Sequence, residues 1–65
     1  MFLVKVMKEG GLPSAAVEDS LDKCVDVAKV FVDADVLKDW ERISVELKTK
    51  MKWSDGNTTI TITGK

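Results

Sequence analysis

The chain has 65 residues, with 10 basic and 11 acidic side chains, a formal charge of -1 and a hydrophobic fraction of 45%. It holds one cysteine and no histidine, which excludes an internal disulfide, a Cys/His zinc site and the imidazole on which most proton transfer and nucleophile activation near neutral pH rely. So short a chain is one domain and buries only about 60% of its unfolded surface, so self-association, as a homodimer, is one route to added stability.

Phe2, Val4 and Val6 alternate with Leu3, Lys5 and Met7, which predicts a strand over 2–8. Glu9-Gly10-Gly11-Leu12-Pro13 then reads as a loop. Ser14 suits a helix N-cap, although Val17 occupies the position where a capping box needs Glu. Beyond it, at about 100° per residue, Val17, Leu21, Cys24, Val25, Val27, Ala28, Phe31 and Val32 gather on one side. Glu18, Asp19, Asp22, Lys23, Asp26, Lys29 and Asp33 gather on the other, so the pattern predicts one amphipathic helix from Ser14 to about Asp33. The β-branched run 27–32 leaves a strand as the competing reading of its second half.

The stripe fails at Asp33-Ala34-Asp35, where either aspartate suits the cap of a second short helix over roughly 35–42. Ile43, Val45, Leu47, Thr49, Met51 and Trp53 then alternate with polar residues and predict a strand over 43–53. Asp55-Gly56 signals a tight turn, and Ile60 and Ile62 alternate with threonines in a last strand. A two-residue turn sets Trp53 against Thr58, Met51 against Ile60 and Thr49 against Ile62. The expectation is an α+β domain over residues 1–65, a two-layer sandwich ordered strand-helix-(short helix)-strand-strand. Its one amphipathic helix covers a three-stranded sheet, with the first strand either parallel to the second or antiparallel to the third.

That order and size resemble those of the dodecin-like flavin-binding proteins. The similarity lies in element order alone, with no residue motif to carry over, and the segment after the helix departs from that family; no flavin or other cofactor follows from it.

The residues give little to catalysis, and no enzyme activity is expected. Cys24 lies on the apolar stripe and reads as a buried small hydrophobe. Gly10-Gly11 lacks the spacing and the Lys-Ser/Thr pair of a phosphate loop. Asp33, Asp35 and Asp39 lack the glycine and final glutamate of a calcium loop. No apolar run approaches the about 20 residues of a membrane span. The stretch from Met1 to Lys8 lacks the cleavage site of a signal peptide, and the unpaired cysteine suits a reducing compartment, so a cytoplasmic protein is expected.

Charge is more informative. Residues 14–41 sum to -5 and residues 42–65 to +3, an asymmetry that bears on partners rather than on fold. Asp19, Asp22, Asp26 and Asp33, with Trp40 beyond them, form a candidate surface for a protein partner. The expected role is a small regulatory module, acting as an inhibitor or charge mimic. The alternative is nucleic-acid binding by Lys5, Lys48, Lys50 and Lys52 on an outer sheet face beside Thr59, Thr61 and Thr63, though that face lacks aromatic platforms. A third reading is a structural homo-oligomer joined through Leu3, Met7 and the tryptophans. The plainer account of both charged sets is solvated surface, with lysines guarding the sheet against edge pairing.

Overall fold

A computed structural model describes residues 1–64. Its elements are β1 (Phe2–Lys8), β2 (Ser14–Glu18), α1 (Leu21–Phe31), α2 (Ala34–Leu37), α3 (Trp40–Lys50), β3 (Lys52–Ser54) and β4 (Thr58–Gly64). The strands form one antiparallel sheet in the order β2-β1-β4-β3. The two long helices lie on one side of it, α1 over β1 and β2, α3 against β3 and β4 and beside α1. The result is the expected α+β two-layer sandwich, but with a four-stranded sheet and two long helices instead of three strands and one. Val4, Val6, Ile60 and Ile62 from the inner sheet face meet Cys24, Val25, Ala28, Ile43 and Leu47 from the helices, and these side chains are the core.

The first difference from expectation lies at residues 14–18. They form β2, paired with β1 so that Leu3 faces Val17 and Lys5 faces Ala15, and are not the first turn of a helix. Gly10 takes φ +75° in the connection, where the Gly11 N–H donates to the Lys8 carbonyl at 3.1 Å. Gly-Gly between two short alternating runs is a hairpin signal, which the apparent helical phase of Val17 obscured. The N-cap is accordingly Ser20, whose hydroxyl accepts from the Lys23 N–H at 3.2 Å. The run 27–31 is helical, and α1 ends where Val32 turns extended.

The expected break at 33–35 is present. Asp33 stands at the N-cap position of α2 without capping through its side chain, which reaches Lys8 instead at 3.2 Å.

The second difference is larger, because the predicted strand 43–53 is helix α3 over most of its length. Trp40, Ile43, Leu47 and Met51 are spaced three or four residues apart and all face the core, which is the stripe of an amphipathic helix. The alternation depended on Val45, and Val45 is exposed. Good helix formers fill the rest: Glu41, Arg42, Glu46, Lys48 and Lys50. Met51 then adopts a left-handed conformation, φ 60°, and its N–H closes on the Leu47 carbonyl at 3.0 Å. This single residue turns the chain from α3 into β3.

The hairpin β3–β4 is therefore short. Trp53 faces Ile60 and Lys52 faces Thr61, a register two residues away from the expected one. The shift preserves the faces because side chains repeat every two residues, and it arises because the turn is centred on Gly56-Asn57, with the Asp55 N–H closing on the Thr58 carbonyl at 3.1 Å, and not on Asp55-Gly56. There the Asp55 carboxylate accepts from the N–H groups of Asn57 at 2.9 Å and Thr58 at 2.8 Å. β1 pairs antiparallel with β4 along its whole length, Val4 opposite Ile62 and Val6 opposite Ile60. The strand-helix-strand-strand order of the dodecin-like proteins is thus not the order of this chain.

Candidate functional site

Folding rearranges the charge that the sequence segregates. Because α3 is a helix beside α1, Lys48 reaches Asp22 at 3.4 Å. Asp19, just before the Ser20 cap, reaches Lys23 at 3.9 Å, and Asp33 is held by Lys8. Of the four aspartates expected to present an acidic stripe, Asp26 alone has no ion pair among the described residues. Asp22 and Asp26 share α1, whereas Asp19 and Asp33 flank it. Trp40 is not displayed beside them: it opens α3 and packs against the core. These exposed pairs are each worth about 0–1 kcal/mol, so they leave the carboxylates accessible while cancelling much of their field.

The lysine set is divided more thoroughly. Lys48 and Lys50 belong to α3, not to a sheet face, and Lys50 lies 3.8 Å from Glu46. Lys5 and Lys52 do share the outer sheet face, in one row that runs Ala15, Lys5, Thr61, Lys52 across β2, β1, β4 and β3. Lys50 and Lys52 meet only at an open groove of about 350 Å³ beside β3, which Glu46, Trp53, Thr59 and Thr61 also line.

The outer sheet face is the largest structural feature left without a covering layer. Its β4 half is polar, with Thr59, Thr61 and Thr63 directed outward, as an antiparallel sheet with one wet face should be. The β1–β2 half breaks that rule. Leu3, Met7, Ala15 and Val17 take outward positions around Lys5, and Met7 and Val17 are each 48% exposed. Leu12, 89% exposed, lies in the loop at the Met7 end. Sequence alternation identified Leu3 and Met7 as outward; Val17 joined them only once β2 was paired.

Cys24 is fully buried, its Sγ 3.8 Å from the Phe2 carbonyl oxygen. Burial, and then the nearby Glu18 carboxylate, push its thiol pKa up, the opposite of what an activated thiolate needs. Loop hydrogen bonds from Thr58 and Asn57 hold the Asp55 carboxyl below its ordinary value. Among the described residues, no group of three or more His, Cys, Asp or Glu side chains is placed to hold a metal ion. No described helix is long and apolar enough to cross a membrane. No protein-family model matches the chain, and no curated protein or solved structure shows significant similarity to it.

Proposed function

We propose that this protein is a small non-catalytic binding module that engages a protein partner, and that it does so with the outer face of the β1–β2 hairpin. One observation carries the reading: the outward positions of this hairpin are apolar where those of β4 are threonine. Leu3 and Val17 support the hairpin as a cross-strand pair, but Met7 and Val17, each 48% exposed, also leave apolar surface in water that a partner would cover. The acidic face of α1 is the weaker surface for this role, because Asp22 and Asp33 are paired within the chain. The unpaired Cys24 suits a reducing compartment, and the cytoplasm is the proposed location. Photo-crosslinking residues placed at Met7 or Val17 should capture a protein in the host cell, whereas the same group at Asp26 should not. Capture from position 26 alone would return the role to the helix face, and capture from none would end the proposal.

A second reading has its own observation. Trp53, half-buried against the core, lines the groove at β3 with Lys50 and Lys52, and its open part would serve as the aromatic platform that single-stranded nucleic-acid binding needs. Quenching of tryptophan fluorescence by oligo-dT at low salt, lost on Trp53→Leu, tests it.

A further inference from the structure

The inner face of the sheet already accepts two helices, one over each hairpin. The outer strip over β1 and β2 also carries apolar side chains, with a cation, Lys5, at its centre. Leu3 and Val17 are cross-strand partners at one end, and Met7 stands two residues past Lys5 at the other. Lys5 itself lies between Ala15 and Thr61, with Lys52 beyond Thr61. Neither lysine has an ion pair among the described residues, and no strand position of this face carries an acid.

We infer, resting on the docking surface proposed above, that its occupant is an amphipathic helix of a partner protein that sets a carboxylate between two apolar anchors. The carboxylate meets Lys5; the anchors meet Leu3–Val17 and Met7. A second copy of this chain fits worse, because a two-fold copy would bring Lys5 near its own equivalent amid apolar contacts, with no acid on the face to offset it. A helix about 10 Å wide matches the strip, and a carboxylate against Lys5 gives a charge-assisted hydrogen bond shielded by its flanking methyl groups. Leu3 and Met7 are about 14 Å apart along the strand. Two turns of helix, about 11 Å, bring positions i and i+7 to one side with i+3 or i+4 between them, and the long Met7 side chain spans the remainder.

The test is selection from a library of displayed random peptides of about four helical turns against the full chain. Counter-selection uses the Leu3→Ser, Met7→Ser double variant, or Val17→Ser should the double variant lose its circular dichroism. The expected binders carry apolar, acidic and apolar residues at i, i+3 or i+4, and i+7. Lys5→Glu should weaken them about tenfold or more, a matching acid-to-lysine change in the peptide should restore binding, and Lys29→Glu on α1 should have no effect. Binders that need the apolar strip but ignore Lys5→Glu would overturn this inference and leave the docking surface standing. An absence of strip-dependent binders would overturn both. Dimerisation in sedimentation equilibrium that the Leu3/Met7 variant abolishes, or oligo-dT binding that Lys5→Glu abolishes, would assign the face to another occupant and overturn the inference as well.

Discussion

Val45 offers the sharpest test of how the middle of this chain folds. It is 61% exposed on α3, while Ile43 and Leu47, two residues to either side, are buried. Replacing it with alanine removes two carbon atoms, each worth about 0.8 kcal/mol when fully buried. With roughly two-fifths of the residue shielded, the loss is about 0.6 kcal/mol. Alanine's better helix propensity returns about 0.6 kcal/mol, so Val45→Ala should leave stability unchanged to within about 0.5 kcal/mol. An inward-facing Val45 on a strand gives a different sum. The same change would cost about 2 kcal/mol or more, from the buried carbons, a cavity and lost strand preference. Leu47→Ala is the control and should cost about 2–5 kcal/mol, much of the roughly 3–10 kcal/mol expected for a chain of this length. Urea titration followed by the fluorescence of Trp40 and Trp53 measures both. A loss above about 2 kcal/mol in Val45→Ala would refute helix α3 and the reasoning built on it.

Other expectations follow from the same geometry. Cys24 should react with a thiol reagent at least about a hundredfold more slowly in the native protein than in denaturant, because modification needs opening of the core; fast native labelling would contradict its burial. The Asp55 carboxyl is held below its ordinary pKa by the Thr58 and Asn57 N–H groups, so its contribution is complete above the unfolded value of about 3.9 and is lost as pH falls through the lower folded value. Wild type should therefore exceed Asp55→Asn in stability at neutral pH and lose that advantage in acid; a constant difference across the range would remove the carboxylate's role. A double-mutant cycle on Asp22 and Lys48 should give a coupling of about 0.2–1 kcal/mol that shrinks in high salt, and zero coupling at low salt would show that α1 and α3 do not hold this pair together.

The parts of the fold legible in the sequence are those with a single consistent period. β1 alternates cleanly, the polar face of α1 is nearly unbroken, and the Ile60–Ile62 alternation of β4 has no rival. The break after α1 was legible too, because a continued helix would bury Asp35. Where the structure departs from expectation, one residue supported a second period. Val17 sits in phase with the α1 stripe and drew 14–18 into the helix, although Gly10-Gly11 marked a hairpin. Val45 turned the spacing Trp40, Ile43, Leu47, Met51 into an apparent alternation. The same helix moves the candidate site residues: Lys48 and Lys50 belong to α3 and not to the sheet, and Trp40 packs against the core.

The fold class, the inward side of Cys24, the outward placement of Leu3, Lys5 and Met7, and the shortage of residues suited to catalysis all follow from residue type and local pattern. Each depends on residue type or on a local period with no competing period in the same segment. Long-range pairing is what brings four strands into one sheet, sets Val17 beside Leu3 on its open face, and draws Asp22 and Lys48 together across α1 and α3. Those facts depend on which segments pair across long stretches of chain, and pairing is settled by burying a common core rather than by any one segment's preference. The net charge of -1 shows the difference: in the chain it separates into an acidic middle and a basic end, and in the folded protein the two lie side by side, leaving Lys5 and Lys52 as the cations of the open sheet face.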